Sequence, residues 1–183
     1  MNKLKIFIAG PRAIKELDEN VLKKLESICQ KKYDILVGDA DGIDSSVQIF
    51  LYKQNYKNVI VYASKGLARN NYGKWGVQKV LTADNLTGFD FYAQKDLQMA
   101  KDTDIGFMIW NGKSKGTFNN MINLLNFEKK VILYYVPTKK FYQFKQMSDL
   151  EGFINANVKL DSKLKKLLPE KEKIDNLIQV CLF

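Results

Sequence analysis

The sequence predicts an α/β fold, a three-layer sandwich with a mostly parallel sheet and a helical C-terminal extension. The first 62 residues alternate strand, helix, strand, helix and strand, which is typical of parallel strands joined by right-handed crossovers. A later apolar run, Ile105–Trp110, is typical of a strand buried on both faces, and a loop of Gly, Ser, Lys and Thr follows it. We expect a ligand site where the carboxyl ends of these strands meet.

Apolar runs and helical spacing predict the individual elements. Strands are predicted at residues 4–9, 33–37, 58–62, 105–110 and 130–136, with a short edge strand at 140–144. Helices are predicted at 17–30, from the acidic loop to residue 52, and at 76–81, 91–102, 117–128 and 148–156. We expect Thr117 to cap its helix, Ser148 and Glu151 to form a capping box, and Leu97, Met99 and Ala100 to be buried. The first strand should lie beside the 105–110 strand.

Length and composition predict one domain with a small appendage. The chain has 183 residues and 46% hydrophobic content, enough for a full core. We assign residues 1–137 to a ligand-binding domain, and residues 138–183 to an edge strand and C-terminal helices that pack on it or form a homo-oligomer contact. No apolar run approaches the ~20 residues that a membrane span needs, so we expect a cytoplasmic protein without a membrane partner. Cys29 and Cys181 are expected to be reduced thiols.

The charged residues limit which side chains could catalyse a reaction or bind an anionic ligand. The chain contains no histidine, so catalysis would depend on carboxylates, Lys, Tyr or hydroxyls. Its net charge of +9 is compatible with nucleic-acid binding, but most of its basic residues are lysines spread along the chain, which disfavours a binding stripe. The two arginines, Arg12 and Arg69, deserve more weight because Arg is the preferred bidentate partner of phosphate and carboxylate groups.

Three Gly-containing polar loops follow three of the predicted strands: residues 10–12, 38–44 and 111–117. The third loop joins a strand to a helix N-terminus, where unpaired N–H groups and the helix dipole favour an anion. Its glycines permit a close backbone approach, its hydroxyls donate hydrogen bonds and its lysines supply charge. The candidate phosphate-binding residues here are Gly112, Lys113, Ser114, Lys115, Gly116 and Thr117, joined by Gly10, Pro11 and Arg12 of the first loop.

The second loop, Gly-Asp-Ala-Asp-Gly-Ile-Asp, contains three carboxylates in six residues. Asp41 or Asp44 would cap the following helix in a purely structural interpretation. In a functional interpretation, Asp39, Asp41 or Asp44 accepts hydrogen bonds from a ribose or a base edge, and Gly38 and Gly42 permit the turn. The spacing does not match a calcium loop, and we predict no metal site.

Apolar residues in the segment 63–85 follow neither a helical nor a strand period, and the segment is long for a loop in a compact domain. Such a segment is typical of a lid or binding loop. Arg69, Asn70, Tyr72 and Trp75 are candidate lid residues. The alternative is a surface excursion whose aromatic residue is anchored in the core.

Together, Ala-Gly-Pro-Arg at 9–12, the acidic loop and Gly-Lys-Ser-Lys-Gly-Thr at 112–117 resemble the SLOG superfamily, especially its YspA-like branch. The resemblance covers roughly residues 3–136. It implies a Rossmann-like fold that binds, senses or processes nucleotides and nucleotide-derived ligands. Lonely-guy-type phosphoribohydrolases are more distantly similar, but their motif ends in a catalytic Glu where this chain has Asn120, which makes that activity doubtful. Nucleoside deoxyribosyltransferases share the Ala-Gly-Pro start.

The leading hypothesis is therefore a domain that binds a nucleotide-type ligand, with no further cofactor identified. An alternative is an N-glycosidase or deoxyribosyltransferase-like enzyme in which Asp39, Asp41 or Asp44 is catalytic. A second alternative is a nucleic-acid-binding module, which would show a steep salt dependence of binding.

Overall fold

The computed structural model describes residues 3–65, 67–82, 85 and 87–168. The strands are β1 (Lys5–Ala9), β2 (Asp34–Gly38), β3 (Val59–Ser64), β4 (Gly76–Val80), β5 (Ile105–Trp110), β6 (Lys130–Tyr135) and β7 (Lys140–Phe144). The helices are α1 (Glu19–Gln30), α2 (Ile43–Lys53), α3 (Gly88–Asp102), α4 (Lys115–Asn126), α5 (Met147–Asn157) and α6 (Ser162–Lys165).

All seven strands form one sheet in the order β4-β3-β2-β1-β5-β6-β7. Strands β1 to β6 run parallel, and β7 is antiparallel to β6. Strand β1 pairs with β2 on one side and with β5 on the other, in a register that places Phe7 opposite Leu36 and Gly106. The predicted α/β class and the predicted neighbourhood of β1 and β5 are confirmed, and the loops after β1 and β5 flank the point where the strand order reverses.

Helices cover both faces of the sheet, which gives three layers. On one face, apolar side chains of α1 and α2, such as Leu25 and Val47, pack against alternate residues of the central strands. On the other face, α3, α4 and α5 contribute Met99, Phe118 and Phe153 to a second core. Strands β1, β2, β3, β5 and β6 are largely buried on both sides, which is why they appear in the sequence as continuous apolar runs.

One predicted element is wrong. Residues 76–81 were expected to form a short helix, but Gly76–Val80 forms β4, an edge strand parallel to β3. Four of its five residues are exposed and only Val80 is buried, as an edge strand allows. Backbone hydrogen bonds to β3 favour the extended conformation over the helix.

Three predicted caps are also wrong. Helix α4 begins at Lys115 with Ser114 as its N-cap, two residues before the position expected from Thr117. Neither Asp41 nor Asp44 caps α2, because its N-cap is Gly42, which makes no side-chain cap. The capping box of α5 joins Gln146 to Asp149 and does not involve Ser148. In the segments before α4 and α5, several side chains that could accept the cap hydrogen bond lie close together, so sequence spacing alone does not identify the one that caps.

Residues 138–168 pack on the same core. Phe153 of α5 contacts Tyr135 and Phe144 edge-on or tilted, and Leu160 and Leu164 are buried beside α4 and α5. The domain boundary at residue 137 stays a prediction. Cys29 is on α1 as expected, whereas Cys181 and the predicted helical pattern beyond residue 168 lie outside the described residues. In the described part of the chain, no helix is long and apolar enough to cross a membrane.

Candidate functional site

A cavity of about 500 Å³ opens at the carboxyl ends of the central strands. All three predicted loops reach it. Gly10 and Arg12 follow β1, Asp44 follows β2, and the first turn of α4 follows β5 with Ser114, Gly116 and Thr117. This volume is within the range of small-molecule sites, and the location is the one that a doubly wound sheet provides for ligands.

Helix α3 supplies a wall of the cavity that the sequence analysis did not identify. Tyr92, Lys95, Asp96 and Met99 all line it, and their spacing places them on one stripe of the helix. The prediction that Leu97 is a buried position is wrong, because Leu97 is only partly buried and Lys95 is buried instead. Two charged residues within an otherwise apolar helical stripe are the signal that would have revealed this wall.

The loop after β5 is built around Asn111. Its side-chain oxygen accepts hydrogen bonds from the backbone N–H groups of Lys113 (3.0 Å) and Ser114 (2.9 Å). The hydroxyl of Ser114 then accepts from the N–H of Thr117 at 3.4 Å. Gly116, in the same turn, lines the cavity, and a Cβ at its position would meet open space.

The remaining predicted residues of this loop lie outside the cavity lining. Gly112 has a φ of 78°, and Lys113 is exposed. The ammonium of Lys115 lies 3.9 Å from the centroid of the Phe89 ring, and Phe89 itself lines the cavity. Of the three, only Lys115 is connected to the cavity, through Phe89.

The Asp39 carboxylate is already fully engaged by the protein. Its Oδ1 accepts from Arg69 Nη2 at 2.7 Å and from Lys95 Nζ at 3.1 Å, and its Oδ2 accepts from Arg69 Nε and N at 3.1 Å. Burial alone would raise the pKa of Asp39, but the Arg69 hydrogen bonds and the Lys95 charge hold it well below its usual range. Asp39 is therefore an ionised anchor for Arg69 and Lys95, with little capacity left for a ligand.

The other residues of the acidic loop divide into two groups. Asp41 is exposed outside the cavity lining, and its Oδ1 accepts a 3.1 Å hydrogen bond from Asn70. Gly38 and Gly42 are structural: a Cβ on Gly38 would lie 2.7 Å from Lys95 Nζ, and Gly42 has a φ of 81°. Pro11 joins the first two loops, because its carbonyl accepts from the N–H of Ile43 at 3.2 Å.

Asp44 and Asp96 are the carboxyl groups that line the cavity. Burial, the largest effect, raises the pKa of Asp44 to about 7, with Asp96 and Asp39 adding to the rise and Lys95 opposing it. Burial likewise raises the pKa of Asp96, again against the charge of Lys95. Lys95 Nζ lies 3.7 Å from Asp96 Oδ1 and 3.1 Å from Asp39 Oδ1, so one ammonium group pairs with carboxylates on both α3 and the loop after β2. Among the described residues, no group of three His, Cys, Asp or Glu side chains is arranged to hold a metal.

Both arginines of the chain lie over one ring. The guanidinium carbons of Arg12 and Arg69 are 4.8 and 4.7 Å from the centroid of Tyr92. Arg12 also lines the cavity, whereas Arg69 is held by Asp39. Tyr92 also lines the cavity, so its ring holds both cations beside the cavity through cation–π attraction.

The candidate lid residues lie outside the cavity lining. Asn70 holds the acidic loop through hydrogen bonds to Asp39 O and Asp41 Oδ1, and Tyr72 is exposed. Trp75 is buried in the core, and its indole N–H donates to Tyr56 O at 2.9 Å. The position of Trp75 therefore matches the alternative interpretation, in which an aromatic residue of this segment is anchored in the core.

No protein-family profile matches the chain, and no curated protein matches it significantly. Solved structures do match. DNA processing protein A of Helicobacter pylori, described with a single-stranded DNA binding mode, has a TM-score of 0.55 at 13% identity, over 98% of this chain and 80% of that one. The molybdenum cofactor binding protein of Rippkaea orientalis has a TM-score of 0.55 at 16% identity, and the match covers 100% of this chain and 99% of that one. The fold is Rossmann-like.

A further match is DNA processing protein A of Streptococcus pneumoniae, with a TM-score of 0.51 at 13% identity, over 87% of this chain and 63% of that one. At such identities the likeness concerns the Rossmann-like fold alone. The predicted fold class is confirmed, whereas membership of the SLOG superfamily and of its YspA-like branch stays a prediction.

Proposed function

We propose that this Rossmann-like, SLOG-type domain binds a nucleotide or nucleotide-derived metabolite in the cavity, as a sensor or processing domain. One observation carries the proposal: a single cavity joins the N-terminus of α4 and Arg12 to the carboxyl and amide groups of α3 and α4. A ligand with a negatively charged end and a hydrogen-bonding end matches this arrangement. Nucleotides have that chemistry.

The phosphate would bind at the start of α4. A helix leaves its first N–H groups without partners inside the helix, and the dipole adds partial positive charge there. Gly116 exposes its backbone to the cavity without a side chain in the way, and the Ser114 and Thr117 hydroxyls lie beside it. Arg12 would add a full positive charge.

Thermal unfolding with a panel of nucleoside mono-, di- and triphosphates tests the proposal. A ligand at ~100 times its dissociation constant stabilises a protein by about 2.7 kcal/mol. Gly116→Leu would place a side chain in the open space of the cavity, and we expect it to abolish the shift. Gly152→Leu is the matched control, because Gly152 is also a helical glycine with open space around its Cβ and lies on α5, outside the cavity lining. Absence of a shift in the wild type, or a shift that survives in Gly116→Leu, would contradict the proposal.

The raised pKa of Asp44 supports a second candidate function, that of an N-glycosidase or deoxyribosyltransferase-like enzyme. A carboxyl group with a pKa of about 7 in a cavity can donate or accept a proton near neutral pH. N-glycosidic chemistry would then release free base from a nucleoside monophosphate, and Asp44→Asn would abolish the release. Retained release in Asp44→Asn would exclude this role, as would its absence in the wild type.

The nucleic-acid alternative gains support from the fold likeness to a protein described as binding single-stranded DNA and from the net charge of +9. It predicts that affinity for an oligonucleotide falls steeply with salt, since several phosphates release counterions. A mononucleotide involves fewer phosphates and should show a smaller slope. Titrations of both ligands between low and moderate salt separate these two functions.

A further inference from the structure

The wall formed by Asp96 and Asn120 has more hydrogen-bond acceptors than donors. Asn120 lines the cavity with only 3% of its surface exposed. Its Nδ2 donates to Asp96 Oδ2 at 3.4 Å, while its buried Oδ1 has no hydrogen-bond partner among the described residues. A buried carbonyl oxygen without a donor costs free energy, so its presence in a cavity wall indicates a partner that arrives with the ligand.

The Asp96 carboxylate likewise has fewer hydrogen-bond donors around it than it can accept. Its side chain is 22% exposed, and its contacts to Asn120 Nδ2 (3.4 Å) and Lys95 Nζ (3.7 Å) are longer than ordinary charge-assisted hydrogen bonds. The carboxylate therefore keeps capacity to accept hydrogen bonds from a molecule in the cavity. Asp44 is more enclosed, at 8% exposed, and accepts a 3.3 Å hydrogen bond from the N–H of Ala40.

Helix geometry relates this wall to the phosphate position. Asn120 follows Gly116 by four residues on α4, so the two lie on the same face, about 6 Å apart along the helix axis. In a nucleotide, the sugar hydroxyls are separated from the phosphate by only a few bonds, whereas the base edge is farther away. A phosphate at the start of α4 would thus bring the sugar to Asn120 and Asp96.

We propose that Asp96 and Asn120 form a specificity subsite for the adjacent hydroxyl groups of a ribose, so that the cavity selects ribonucleotides over deoxyribonucleotides. The proposal rests on the proposed function and deepens it. A vicinal diol offers two donors at neighbouring positions, which matches the Asp96 carboxylate and the unpartnered Asn120 oxygen. A deoxyribose would leave one buried acceptor unpaired.

Calorimetric titration with paired nucleotides tests this subsite. The nucleoside 5′-monophosphate that binds the wild-type protein is compared with its 2′-deoxy counterpart, and we expect at least about 10-fold tighter binding of the ribonucleotide, because a hydrogen bond to a charged group has that weight. Asp96→Asn and Asn120→Leu are both close in shape to the native residue. In the variant that loses the partner of the 2′-hydroxyl, the ratio should fall to near 1, with the loss confined to the ribonucleotide. The other variant loses the partner of the 3′-hydroxyl, which both sugars have, and should weaken both.

The control is Asp90→Asn, the same change on α3 at an exposed position outside the cavity lining. It should keep the wild-type ratio. If both Asp96→Asn and Asn120→Leu weakened the two sugars equally, the role of these residues would be structural, and that result would overturn the subsite.

Further outcomes distinguish the two proposals. If no nucleotide binds the wild-type protein, both fail. If nucleotides bind with no preference between the sugars, only the subsite fails. GMP and IMP differ by one exocyclic amine, so a change in their ratio in Asp96→Asn, with the sugar ratio intact, would move the subsite to the base and overturn the assignment to ribose.

Discussion

Replacing Asp44 by Asn should make the protein more stable than the wild type at pH 8 and should make its free energy of unfolding depend less on pH. Asp44 is buried beside Asp39 and Asp96, and these surroundings raise its pKa from the ordinary 3.8 to about 7. Asn has nearly the same shape as a protonated Asp and keeps an oxygen for the Ala40 N–H. The substitution therefore removes the cost of ionising Asp44 while preserving its hydrogen bond.

The sign follows from proton binding. Between pH 3.8 and about 7, the folded state holds a proton on Asp44 that the unfolded state has lost. The wild type therefore loses stability as the pH rises through this window. One pKa unit corresponds to about 1.4 kcal/mol, so Asp44 should reduce stability by on the order of 3 kcal/mol between pH 5 and pH 8. The variant lacks this loss.

Urea unfolding of both proteins at pH 5, 6, 7 and 8 measures the effect. The difference in free energy of unfolding between variant and wild type should grow with pH by on the order of 3 kcal/mol. The remaining groups, Lys95 and Asp96 on α3 and Asp39 after β2, are present in both proteins and largely cancel. Parallel pH profiles, or a variant that is less stable at pH 8, would refute the reasoning.

Three other substitutions have expected outcomes. Lys95→Met removes one cation from Asp39 while Arg69 still pairs with it, so the expected loss is that of a hydrogen bond to a charged group, about 1.5–3 kcal/mol in urea unfolding at pH 8; an unchanged free energy of unfolding would contradict it. Gly42→Ala forces a side chain into a φ of 81° and brings its Cβ to 2.5 Å from the Pro11 carbonyl, so a drop of at least ~2 kcal/mol is expected, and an unchanged melting temperature would be inconsistent. Gly152→Ala meets open space within α5 and should stabilise the protein by about 0.5–1 kcal/mol in thermal unfolding, whereas destabilisation would show that α5 is not helical there.

Local signals explain why much of the fold was predictable. Strands buried on both faces require continuous apolar residues, and the loops that follow β1, β2 and β5 begin at or near glycine, so the sequence marks both the strands and their ends. Parallel strands place their carboxyl ends at one edge, which is why the three loops were expected together. Arg12, Asp44 and Ser114 do open onto one cavity.

Where the sequence was misleading, non-local contacts decide the structure. The Gly76–Val80 segment has no strong preference of its own, and it becomes a strand because β3 offers an unpaired edge. Lys95 and Asp96 interrupt an otherwise apolar stripe of α3, but charged residues on a helix are usually exposed to solvent, so the sequence alone does not place them in a cavity. They line a cavity only because α3 packs beside the ends of β1 and β2.

The sequence by itself determined the α/β class, the five buried parallel strands and the three loops, because hydrophobic periodicity and glycine positions act over a few residues. Only the tertiary structure decided which carboxyl groups face the cavity. Arg69 and Lys95 lie 30 and 56 residues beyond Asp39 along the chain, yet they saturate its carboxylate. Asp44 and Asp96 are left to the cavity, because a charge is compensated by whatever approaches it in space, whatever the distance along the sequence.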